Sequence, residues 1–258
     1  TNNYEVLLLR NVNATNYRLG TNIVMPTTAP NQWRTSLFAG TLDGDGNTIT
    51  THIPVFSRIY GSRDDTVPVG GAPDTAANLA YGYIHDLNLM LTANTNAGVL
   101  GSVMGGTMMA ISISSNNPFV GLYATLQSHS NIGTLFNFVR GNTYVYGCYT
   151  DVTVFVQNSN VGFVGGLIGN VAAAKATVDN CVSNADVYST TEILSIGSLI
   201  GGITANTGTI KNSTAAGLVQ SGGNNVVGNK DTVHKVENGY WSIKDPDGQQ
   251  TYTAAHNI

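Results

Sequence analysis

Two short stretches of this chain bring carboxylates close together in sequence. Asp43-Gly44-Asp45-Gly46-Asn47 alternates Asp with Gly, as a calcium loop does where it begins, which makes Asp43 and Asp45 candidate ligands for a calcium ion. An EF-hand loop also needs a bidentate Glu at its twelfth position. Counting from Asp43, that position holds Pro54, and no Glu occurs between Glu5 and Glu192. A tight turn between two strands would use the same residues for another reason, because Gly and Asp tolerate φ > 0. The expectation is the turn, with no cofactor required. A second cluster lies in 57–79, which carries Arg58, Arg63, Asp64, Asp65 and Asp74 together with Pro68, Pro73 and Gly70-Gly71. Those residues read as an inserted surface loop, and Arg63, Asp64, Asp65 and Asp74 are its candidate ligand-binding groups. A third set is aromatic. Tyr144, Tyr146 and Tyr149 lie close together, with Tyr123 and Tyr188 nearby. Aromatic faces stack on sugar rings and anchor protein contacts, although lateral packing along the outside of a fold would also use them.

Catalytic chemistry finds little support. The histidines His52, His85, His129, His234 and His256 follow no metal-ligand spacing, and no Gly-x-Ser-x-Gly elbow occurs. A glycosidase needs two carboxylates flanking the scissile bond. Between Asp86 and Asp151 there is no carboxylate at all. A polysaccharide-active enzyme therefore stands as the alternative reading, not the leading one.

These residues must be positioned by elements that the composition already restricts. Only 10% of the chain is charged, 42% is hydrophobic and 30 residues are Gly. Thr, Asn and Ser supply polarity without charge. They are poor helix formers, and the good formers Lys, Glu and Arg are scarce. A net charge of −4 leaves no basic surface for nucleic acid. No apolar stretch is long enough for a membrane helix. The start, Thr1-Asn2-Asn3-Tyr4, reads as a cut or mature terminus and not as a signal peptide.

The stronger signal is self-similarity. Gly165-Gly166-Leu167-Ile168-Gly169 and Val178-Asp179-Asn180-Cys181 recur 32 residues on as Gly197-Ser198-Leu199-Ile200-Gly201 and Ile210-Lys211-Asn212-Ser213. They recur 33 residues earlier with Val145 on Val178, Cys148 on Cys181 and Val154 on Val187. Within each copy, runs such as Thr143-Tyr144-Val145-Tyr146 alternate in the manner of strands, and Gly or Asn falls between them. Short strands at a fixed period predict an all-β solenoid with repeats of 32–33 residues across about 131–219. A β-sandwich gives no reason for that period. The chain divides into a lead-in with the first coils (1–56), the insertion (57–79) and the repeat-bearing solenoid with a closing segment (80–258). Together they form one continuous domain.

The repeats resemble the GLUG motif of bacterial surface proteins, in which G-G-L-h-G, a turn and h-x-N-C recur, h being aliphatic. Phe38 to Ile49 resembles the element that precedes such repeats. Gly239-Tyr240-Trp241 with Gly248-Gln249-Gln250 resembles the aromatic closing element of haemagglutinin-like members. The resemblance implies a right-handed parallel β-helix and an adhesin-like role, secreted or at the cell surface, within a larger surface protein. Its partner would be a cell-surface or matrix protein or a glycan. A structural or ice-binding solenoid and a phage host-recognition fibre remain further alternatives. The family pattern also implies that Cys faces inward. Cys148 and Cys181 lie one repeat apart, so a bridge is open to them if one repeat makes one coil and closed if it makes two. Ser213 at the third equivalent position speaks against a required bridge, and the expectation is two buried free thiols.

Overall fold

A computed structural model describes residues 16–25, 37–38, 40–59, 82–95, 98–117, 120–124, 131–157, 162–172, 175–189, 195–203, 209–217, 219–220, 236–237, 241–244 and 250–253. The described residues are all-β, and the fold is a parallel β-helix. The sequence repeat and the structural coil are the same unit. Phe136 pairs with Ile168 and Ile168 with Ile200, while Val145 pairs with Val178 and Val178 with Ile210. Val154, Val187 and Val219 form another in-register column. All these pairings are parallel and all follow the 32–33-residue period.

Each coil runs through a short strand (Asn131–Ile132, Phe163–Gly165, Ser195–Gly197) into a longer wall. That wall bends at a corner and continues into a further sheet that includes Val154–Val156 and Val187–Ser189. The alternation within each strand sends one residue set inward. Leu42, Ile84, Met108, Val145, Val178 and Ile210 form one such column, and each is buried. Burying an aliphatic side chain of this size is worth about 1.5–3 kcal/mol. The stack therefore supplies the core that no single coil could supply alone.

Two corner positions explain the sequence grammar. At the first glycine of the motif, a Cβ on Gly165 would stand 1.9 Å from the Ile168 carbonyl oxygen, so only Gly fits. The second corner is a column of left-handed residues: Asp86 (φ 52°), Ala110 (51°), Gly147 (61°), Asn180 (52°) and Asn212 (49°). This turn resets the alternation, so the residue after it points inward. Cys148 and Cys181 accordingly lie at 1% and 0% exposure as free thiols, and Ser213 is buried on the next rung.

Upstream, the coils lengthen and shorten. Asn16–Arg18 stacks on Thr41–Asp43, which stacks on Tyr83–Leu91, which stacks on Gly101–Ser115. Ser57, Arg58 and Ile59, assigned above to the insertion, belong instead to the strand Phe56–Ile59, which pairs with Leu37–Phe38 and with Gly101–Ser115. The reason is that Phe56 and Ile59 are core residues, at 0% and 1% exposure. The described residues near the C-terminal end include an antiparallel pair, Trp241–Lys244 with Gln250–Thr253, at the segments read as the closing element.

Candidate functional site

The outward residues of the longest wall form a polar and aromatic surface that runs from coil to coil. One outward column runs Arg18, Asp43, His85, Met109, Tyr146, Asp179 and Lys211, one residue per coil. Beside it runs Asn16, Thr41, Tyr83, Thr107, Tyr144, Thr177 and Thr209. Because rungs stack about 4.8 Å apart, neighbours in a column are side-chain partners across coils.

At the N-terminal end of this wall the partners are ionic. The Arg18 guanidinium donates to Asp45 (Nη2 to Oδ1, 2.6 Å) and lies 3.4 Å from Asp43 Oδ2. These contacts, the Asp45 hydrogen bond first, push its already high pKa further up. His85 Nδ1 lies 2.8 Å from Asp86 Oδ2 and 3.7 Å from Asp43 Oδ1. Tyr83 stacks on His85 with ring centroids 4.6 Å apart, and its hydroxyl reaches the Met109 sulfur at 3.4 Å.

In the middle of the wall, Tyr144 and Tyr146 lie near-parallel, 13° between planes and 6.0 Å between centroids. Both are half-buried. The Tyr144 hydroxyl donates to Asp179 Oδ2 at 3.4 Å, and Asp179 also accepts from Asn212 Nδ2 (3.0 Å) and pairs with Lys211 Nζ (3.4 Å). Burial pushes the Tyr144 phenol up, and the Asp179 charge and hydrogen bond add to it.

Of the sequence candidates, Tyr144 and Tyr146 are thus brought together. Tyr149 is not with them. It lies past the Gly147 corner, where its hydroxyl accepts from Asn184 Nδ2 at 3.2 Å. Tyr123 and Tyr188 flank Phe155 in register on a separate sheet. Arg63, Asp64, Asp65 and Asp74 lie outside the described residues. Asp43 and Asp45 form the expected turn: Asp45 N–H donates to Asp43 Oδ1 at 2.8 Å, and Asp45 (φ 50°) and Gly46 (φ 73°) make the bend.

Asp43, His85 and Asp86 could each offer one ligand atom, all within 4.8 Å of one another. The set does not fit a calcium loop. Calcium takes six to eight oxygens, whereas this cluster includes an imidazole, and Asp45 is engaged by Arg18. Arg18, Tyr83, His85, Met109, Asp179 and Lys211 were not legible as site residues in the sequence. Finding them requires the register of coils whose lengths differ.

No family model and no curated protein matches the sequence. Among solved structures, the chain is similar to a Bacteroides ovatus protein described as a "putative immunoglobulin A1 protease", with a TM-score of 0.58 and 11% identity. The match covers 96% of this chain and 89% of the other. At that identity the likeness is one of fold, and it agrees with the parallel β-helix read from the strand register.

Proposed function

We propose that this chain is an extracellular recognition module of the GLUG-repeat kind, part of a larger surface protein, which binds a glycan or a matrix protein along its outer wall. The observation that carries the reading is the in-register wall itself. Successive coils place Tyr83 with His85, Met109, and Tyr144 with Tyr146 between an ionic cluster at Arg18 and Asp43 and another at Asp179 and Lys211. A rigid stack holds these groups at fixed spacing without needing a deep pocket, and preordered side chains lose little entropy on binding. The GLUG assignment is supported by the structural work that its motif residues do: Gly165 at a corner closed to Cβ, Asn180 in the left-handed corner, and Cys181 in the core.

The experiment is a glycan array together with a matrix-protein panel, comparing the wild type with Tyr83→Ala and with the double variant Tyr144→Ala, Tyr146→Ala. A drop in binding of at least about tenfold, the order expected where aromatic anchors carry the contact, supports the wall. Wild-type binding by both variants, with binding lost on deletion of 62–72, would move the site to the insertion.

A second reading has one specific observation behind it. His85 Nδ1 stands between the Asp43 and Asp86 carboxylates, an arrangement that general acid–base chemistry on a polysaccharide could use. Turnover of a polysaccharide that is abolished in Asp43→Asn would favour this reading. The description of the Bacteroides ovatus protein concerns that protein, and at 11% identity it lends proteolysis no support here.

A further inference from the structure

Cys148 and Cys181 occupy equivalent places on adjacent coils. Tyr146 pairs with Asp179 just before them, and Tyr149 pairs with Val182 just after. The main-chain ladder is continuous there: Gly147 N–H donates to the Asp179 carbonyl at 3.0 Å, and Val182 N–H donates to the Cys148 carbonyl at 2.8 Å. The two side chains therefore stack at the rung spacing, about 4.8 Å between Cα atoms. A disulfide tolerates Cα separations of about 4.4–6.8 Å. It asks for Cβ atoms nearer about 3.8 Å, so the side chains must lean together by roughly an ångström with no change of register.

We infer that Cys148 and Cys181 are a cross-coil disulfide site, left reduced in the free-thiol state and closed when the chain folds in the presence of a small-molecule disulfide. The surroundings restrict the chemistry to this pair. The chain holds only 2 cysteines, so no wrong partner exists within it. On the rung before Cys148 sits Ile111, and on the rung after Cys181 sits Ser213, whose Oγ accepts from Cys181 N–H at 3.1 Å. Each thiol now donates weakly to a carbonyl two residues back, Cys148 to Tyr146 at 3.5 Å and Cys181 to Asp179 at 3.3 Å.

The exchange balances in two steps. One cysteine thiolate attacks the small disulfide, forming a mixed disulfide and releasing one small thiolate. The second cysteine thiolate attacks the cysteine sulfur of that mixed disulfide, forming the Cys148–Cys181 bond and releasing the second small thiolate. Two cysteine sulfurs are oxidised, the small disulfide is reduced to two thiols, and the two cysteine protons end on the released sulfurs. Burial pushes the Cys148 thiol well up, and the neighbouring Cys181 adds to it. The folded Cys148 thiol is therefore a poor nucleophile, and both sulfurs are shut away from solvent, so exchange proceeds before the coils close or during local opening.

The test refolds the full chain with oxidised and reduced glutathione, and separately with a reductant. Free thiols are then alkylated in denaturant, and intact mass and peptide mapping locate the sulfurs. The expected result is a β-rich protein with no alkylated thiol, a single linked Cys148–Cys181 peptide, and a Tm higher than the reduced form by on the order of 5–10 °C. Added to already folded protein, the same oxidant should act on the order of 100-fold more slowly. Cys181→Ser, which copies the Ser213 of the next rung, should fold and show no such Tm rise. Two alkylated thiols after oxidative refolding, glutathione adducts on both cysteines, or an oxidised chain that fails to regain β structure would each overturn the inference.

Discussion

Asp179 shows how one residue ties the wall together. It is 6% exposed, yet it meets Tyr144, Lys211 and Asn212 from the coils on either side. Buried carboxylates persist only when their lone pairs are met in this way. The Tyr144 phenol is the titrating end of that contact, pushed up by burial and then by Asp179. Tyr188 is pushed up likewise, by burial and by Asp186. At neutral pH the folded and unfolded states both hold these protons, so the contribution to stability is complete. Above about pH 10 an unfolded tyrosine ionises while the folded one resists, so stability falls as pH rises through that range. Urea unfolding between pH 8 and 11 should show the decline, and Tyr144→Phe should make it shallower. An unchanged slope in Tyr144→Phe would mean that its contact with Asp179 carries none of the effect.

At the scale of the element, the left-handed corner is the device that makes a coil. Asn180 and Asn212 suit φ near +50° because a short polar side chain tolerates that region, and Gly147 suits it because it has no Cβ. Ala110 has neither advantage, although it occupies the same corner at φ 51° and is exposed. Replacing it with Gly should stabilise the protein by about 1 kcal/mol, read as a higher urea midpoint with an unchanged m-value. A loss of stability would show that the corner at Ala110 is not strained. The corner also explains what could be read from sequence. Asn180-Cys181 and Asn212-Ser213 recur at the coil length, but strand alternation alone put Cys148 on the face opposite Val145; only the resemblance implied that Cys faces in, and the left-handed corner is what turns it. Arg18, Asp43 and His85 were not legible as partners. The steps from Arg18 to Asp43, from Asp43 to His85 and from His85 to Met109 all differ in length, so no fixed period brings them together. Their partnership is created by the three-dimensional register and has no local sequence signal. The strand Phe56–Ile59 was missed for a different reason: its charged Arg58 and the following Pro- and Gly-rich run outweighed two core positions.

For the whole molecule, the outer wall follows from stacking. Because the described strands between residues 131 and 219 stack in register from coil to coil, outward groups separated by 32–33 residues in sequence become neighbours along the axis. The wall is thus as regular as the repeat, and each coil contacts mainly its two neighbours, so stability is close to a sum over coils and their interfaces. That picture rests on one repeat making one coil. It is tested most directly by deleting residues 165–196, which joins Val164 to Gly197 just as Ile196 joins Gly197 in the next rung. Thermal unfolding followed by circular dichroism should show a β-rich protein with a single cooperative transition at a modestly lower Tm. Deleting only 165–180 should abolish that transition, because the coil cannot close. A folded, cooperative half-repeat deletion, or an unfolded full-repeat deletion, would contradict the account.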